Sequence, residues 1–202
     1  MARVLLTAFD AYDTWSSNAS WLTLIEITRE LPTEPRVVTR RYPVDFEQLP
    51  ERLEHDIDGS YDYVILLGQA PGSTEVRLET IGINRGVRHT GGHLAGQPLV
   101  PDGPLAYATG MDVEGICQRV RAAGIPCSVS FHAGTYLCNA ALYLSLHQIA
   151  KRKLPCDALF VHMPLTPGQA AAAFPTPASL PATVSAEAIR ILLACLPKTE
   201  VA

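Results

Sequence analysis

The sequence has no long hydrophobic run. Its most apolar stretches reach about 5–8 residues, against the ~20 needed to cross a bilayer. A helical membrane span is therefore not expected. Basic clustering is also scarce. The longest basic run is Lys151-Arg152-Lys153, and the 202-residue chain carries a net charge of −4. A surface that tracks phosphates needs grouped Lys and Arg, so neither nucleic acid nor an anionic membrane is an expected partner. The cysteines, Cys117, Cys127, Cys138, Cys156 and Cys195, include no CxxC pair and no zinc-ligand spacing. Their number is odd and no two lie close together, which fits free thiols in a reducing compartment. The stretch MARVLLTAFD lacks an apolar segment of secretory length, so the cytoplasm is the expected location. No linker and no internal repeat stands out. With 48% hydrophobic and 18% charged residues, the composition is globular, and residues 1–202 read as one domain with a sizeable core.

What the chain does have is apolar runs that alternate with helical patterns. Arg3–Phe9, Tyr63–Leu67 and Ala158–His162 are continuous apolar segments that suit strands buried on both faces of a parallel sheet. Arg36–Tyr42, Val76–Asn84 and Pro126–Phe131 read as further strands. Ser20–Arg29, Phe46–Asp56, Val113–Ala123, Cys138–Arg152 and Ser185–Cys195 read as helices. Gly86–Gly103 and Pro164–Pro181 are rich in Gly, His and Pro and read as loops. This order predicts an α/β fold, three-layer αβα with a mostly parallel twisted sheet. Ligand sites in such sheets lie at the carboxyl ends of strands. That directs attention to the segment after Phe9, the Gly68–Gly72 turn, the turn before Cys138, and His162.

Nucleophilic catalysis by cysteine needs a thiolate, a base and a group that orients the base. Cys138 follows a turn containing Gly134 and opens a predicted helix. A helix N-terminus carries roughly +0.5 charge and favours an anion. The other four cysteines sit inside elements or near their ends and read as structural. Two histidines compete for the role of base: His162, ending a buried strand, and His132, six residues before Cys138. His147 lies ~14 Å along the helix from Cys138 at ~1.5 Å per residue, too far to pair. Glu79 stands among Leu78, Ile81 and Ile83, and a carboxylate there needs a partner. The partner is either a base to be oriented or an ion pair with Arg77 or Arg88. His89 and His93, without a nearby carboxylate, do not make a metal site, and no cofactor is implied.

Three motifs occur in an order that resembles a known family. AGTYLCN (Ala133–Asn139), FVHMP (Phe160–Pro164) and LETIGIN (Leu78–Asn84) resemble the nucleophile, histidine and glutamate motifs of the pyroglutamyl peptidase I family of cysteine peptidases. The resemblance is nearly collinear over the whole chain, and the Gly68-Gln69-Ala70 turn matches too. It implies a phosphorylase/hydrolase-like fold, and an omega peptidase with Cys138 as nucleophile, His162 as acid and base, and Glu79 as orienter. It also implies substrate contacts at Phe9, Tyr12, Gln69, Arg88, Tyr136 and Leu137, peptides with N-terminal pyroglutamate as partners, and a homo-oligomer, tetramer or dimer.

The N-terminal segment departs from the family. Where the family carries TGF-x-PFGG and then Asn-Pro, this chain has TAFDAYDT and Asn18-Ala19. Tyr12 stands for a phenylalanine and brings a hydroxyl that needs a partner. Asp13-Thr14 stands for Gly-Gly, which permits positive φ at no steric cost, so a different loop conformation is expected. The alternatives to the simple reading are therefore a related cysteine amidase or peptidase with altered ring specificity, and a non-catalytic relative.

Overall fold

The computed structural model describes residues 1–90 and 93–196, with the backbone alone at residues 88–90 and 93–95. In chain order the elements are β1 (Arg3–Phe9), α1 (Ala19–Arg29), β2 (Arg36–Tyr42), α2 (Gln48–Asp56), β3 (Tyr63–Gln69), β4 (Val76–Glu79), β5 (Ile81–Ile83) and β6 (Gly86–Thr90). They continue with β7 (His93–Gln97), β8 (Ala106–Ala108), α3 (Val113–Ala122), β9 (Cys127–Ser130), α4 (Leu137–Arg152), β10 (Asp157–Met163), α5 (Pro167–Ala171) and α6 (Ala182–Cys195).

The central sheet runs β2-β1-β3-β10-β4-β9. Its neighbours pair in parallel except β10 and β4, which are antiparallel. The apolar runs of β1, β3 and β10 are explained by coverage on both faces. Val4, Leu6, Ile65, Leu67, Leu159 and Val161 meet buried residues of α1, α3 and α6. Leu5, Val64, Leu66 and Phe160, one residue out of phase, meet α2 and α4. Three layers result, with an apolar core on each side of the sheet. Helix α4 is apolar nearly all round because it lies between the sheet and the β5–β8 ribbon.

Three sequence expectations are corrected. Val76–Asn84 is two strands. The β10 ladder ends at Glu79, and β5 then leaves the sheet to pair with β8. Gly86–Gly103 holds a hairpin of β6 and β7, with Thr90 paired to His93. The Gly-Gly between them in the sequence is a two-residue hairpin signal that a reading weighted by glycine content passes over. Pro164–Pro181 contains α5, whose Pro167 occupies the first turn and whose Thr166 and Gln169 form a capping box. Proline there begins a helix.

Candidate active site

Four elements deliver the site. β10 ends in the motif strand, and His162 lies on the same face as Phe160, under α4. Antiparallel β4 sets Arg77 opposite His162 and Glu79 opposite Phe160. Because alternate residues share a face, Arg77, Glu79 and His162 all point to the α4 side. α4 supplies Cys138 in its first turn, after Tyr136 as N-cap. β3 supplies Gly68, where the close approach of neighbours excludes a side chain. A Cβ there would collide with the Phe160 ring and lie 3.3 Å from Cys138 Sγ.

The Glu79 carboxylate has no exposed surface, and its Oε1 accepts a 2.7 Å hydrogen bond from His162 Nδ1. Of the partners left open for Glu79 by the sequence, His162 is therefore the near one. Arg77 Nε is also present at 3.7 Å, and both cations offset the burial of the charge. Oε2 of Glu79 is buried with no hydrogen bond among the described residues. Burial lowers the His162 pKa, but the charge of Cys138, its hydrogen bond to the ring, and Glu79 together outweigh burial and raise it to about 9. Beside Cys138 and Glu79 the imidazole therefore favours its protonated form. His132 is not part of this contact. It is exposed, and its Nδ1 accepts from Gly134 N at 2.9 Å. His147 meets Tyr107 Oη at 3.1 Å and stacks on Tyr143.

Cys138 is half-buried and borders two cavities. One is lined by Phe9, Tyr12, Val44, Gln69, Tyr136 and Leu137 among others. The second, more open, shares Tyr12, Gln69, Tyr136 and Cys138 with the first and extends to Arg77, His132 and His162. All the predicted substrate contacts except Arg88 line the first. The Arg88 side chain lies outside the described residues, as do those of His89 and His93; Arg88 backbone pairs with Ala95 in the hairpin.

The Tyr12 phenol is pushed up to about 12, by burial first and then by the charge of Cys138, with the nearby Gln69 side chain opposing. It is therefore a neutral hydroxyl at any physiological pH. Asp13 beside it takes φ 54°, the left-handed region that glycine fills freely and Asp tolerates.

The sequence reading assigns no positioning role to Asn139 or Gln169. Asn139 is buried, accepts from Ile83 N at 2.8 Å, and donates to Ile83 O at 2.9 Å and Arg85 O at 2.8 Å. It ties the start of α4 to β5. Gln69 Oε1 accepts from Ala19 N and from Gln169 Nε2, both at 2.7 Å. Its own Nε2 is buried and completes no well-aligned hydrogen bond among the described residues. The only sequence signal for Gln169 was its place three residues after Thr166, the capping-box spacing.

Comparison with known proteins gives concordant results. A family model described as pyroglutamyl peptidase matches residues 2–197. The chain is 33% identical over 175 residues to a pyrrolidone-carboxylate peptidase of Yersinia pestis, covering 84% of this chain and 81% of that one. The pyroglutamyl peptidase I structure from Bacillus amyloliquefaciens superposes with a TM-score of 0.86 at 27% identity, over 96% of this chain and 93% of the other. The pyrrolidone carboxyl peptidase of Fervidobacterium islandicum gives 0.85 at 28% identity, over 96% and 97%.

Proposed function

The chain belongs to the pyroglutamyl peptidase family, and on that footing we propose that it is a cysteine exopeptidase removing N-terminal pyroglutamate from peptides. The observation that carries this reading is the position of Cys138. Its thiol borders a small, mostly apolar cleft and a more open one, beside a histidine anchored at 2.7 Å to a buried glutamate.

The pyroglutamyl ring is neutral and compact. It sits in the cleft against Phe9, Tyr12, Val44 and Leu137, with the backbone and side-chain amides of Gln69 available to the lactam. The Cys138 thiolate attacks the carbonyl that joins pyroglutamate to the next residue. The Cys138 N–H in the first turn of α4 and the positive helix end stabilise the oxyanion. His162, with Nδ1–H directed to Glu79, gives its Nε2 proton to the leaving amine as the C–N bond breaks. The thioester that remains is hydrolysed by a water that loses its proton to His162. Free pyroglutamate is released and the thiolate restored.

The free state of all five thiols supports a cytoplasmic location. The exposed side chains of Leu105, Phe131 and Phe174 support a homo-oligomer, tetramer or dimer. Among the described residues no helix is long and apolar enough to cross a membrane.

The direct test is release of fluorophore from a pyroglutamyl-coumarin substrate under reducing conditions. Wild-type protein turns over and Cys138→Ser does not. Activity that survives the substitution removes Cys138 from the mechanism.

A further inference from the structure

If the ring occupies the apolar cleft, the rest of the peptide leaves the scissile bond through the more open second cavity. The charge lining that cavity is one-sided. Among the described residues it contains Arg77, His132 and His162, and no Asp or Glu. His162 is committed to Cys138 and Glu79. His132 accepts from Gly134 N through Nδ1, which leaves Nε2–H as the donor. Arg77 is the permanent cation.

Arg77 is only loosely used by the fold. Its register opposite His162 sets it beside the reacting groups. Its side chain keeps 37% of its surface exposed. Its Nε stands 3.7 Å from Glu79 Oε1, beyond hydrogen-bonding distance, and is buried without a hydrogen bond. Glu79 is bound more closely by His162 at 2.7 Å. Among the described residues no hydrogen bond engages the guanidinium, so its planar fork of donors remains available to a carboxylate.

We propose that Arg77, with His132, binds the residue that follows pyroglutamate and selects an anionic group there. The carboxylate comes either from an acidic side chain or from the free terminus of a pyroglutamyl dipeptide. This rests on the peptidase reading above and adds the substrate class on the leaving side.

The test is a panel of kcat and KM values for wild-type enzyme, with the released amine quantified by chromatography. One pair is pyroglutamyl-Glu-Ala-amide against pyroglutamyl-Gln-Ala-amide; the other is pyroglutamyl-Ala with a free carboxylate against its amide. A preference for the anionic member of about fivefold or more in kcat/KM, carried mainly by KM, is expected in at least one pair. The first pair assigns the side chain and the second the terminus. The preference shrinks as salt rises from about 0.05 to 0.5 M. It collapses towards unity in Arg77→Gln and survives in part in Arg77→Lys.

Equal rates within both pairs, or a preference unaffected by salt and by Arg77→Gln, overturn the proposal while leaving the peptidase reading intact. No cleavage of any pyroglutamyl peptide overturns both. If Arg77→Gln does not fold, the wild-type panel and its salt dependence still decide. A role for Arg77 confined to neutralising Glu79 would change all substrates alike.

Discussion

Glu79 is a carboxylate with no exposed surface, and such a charge survives only where other charges compensate it. His162 does so at 2.7 Å and Arg77 at 3.7 Å. The consequence is readable in pH dependence. Burial alone would lower the His162 pKa; Cys138 and Glu79 raise it to about 9. The ring is therefore protonated, and able to act as the acid, below about 9, and kcat/KM falls as pH rises through that value. In Glu79→Gln one of the raising partners is gone and burial is less opposed, so the alkaline limb moves to lower pH. The same change removes the acceptor that holds Nδ1–H in place, and kcat drops by about 10²–10⁴. A pH–rate profile of the folded variant, with folding checked by circular dichroism, measures both effects. An alkaline limb that stays in place would remove Glu79 from the histidine's titration.

The elements are held in register by contacts that single substitutions can address. β3 passes so close to β10 and α4 at Gly68 that a methyl group there collides with the Phe160 ring and meets Cys138 Sγ at 3.3 Å. Gly68→Ala costs about 1–3 kcal/mol by overpacking, and pyroglutamyl turnover falls because Phe160 and the thiol must shift. Thermal unfolding and the coumarin assay together check it. The start of α1 offers a subtler case. Asn18 caps the helix through Ser20 N, and Ala19, at the position where the family carries proline, gives its N–H to Gln69 Oε1 at 2.7 Å. Ala19→Pro fits the backbone, since Asn18 is extended at ψ 130°. The substitution deletes that donor and leaves Gln169 as the one side-chain anchor of Gln69. KM for a pyroglutamyl substrate rises severalfold with little change in melting temperature. An unchanged KM would mean that the side chain of Gln69 needs no such anchor.

At the scale of the whole molecule, the site forms where β1, β3 and β10 end and the first turn of α4 meets them. The other thiols are elsewhere. Cys117 and Cys127 are buried in the core on the far side of the sheet. Burial, and then Cys117, pushes the Cys127 thiol up; burial, then Asp157 and Asp62, pushes Cys156 up to about 12. Limiting iodoacetamide therefore labels Cys138 first, and peptide mapping follows loss of activity in step with that label. Early labelling of Cys156 or Cys195 with activity retained would contradict it. Much of this architecture was legible in the sequence. A strand covered on both faces must be apolar at every position, so Arg3–Phe9, Tyr63–Leu67 and Ala158–His162 announced themselves. Cys138 was marked by its place at a helix start after a Gly turn, and the family motifs around Glu79 and His162 narrowed the choice of base. Segments of glycine or proline were misread, because those residues serve a hairpin or a helix start as well as a loop. What the sequence by itself determined was the type of most elements and the identity of the residues able to react, since both depend on local pattern and side-chain chemistry. Only the tertiary structure decided the antiparallel course of β4, the pairing of Arg77 with His162, the anchoring of Gln69 by Gln169, and the two overlapping cavities that border the thiol. Those depend on which distant segments lie side by side, and no local pattern encodes that distance.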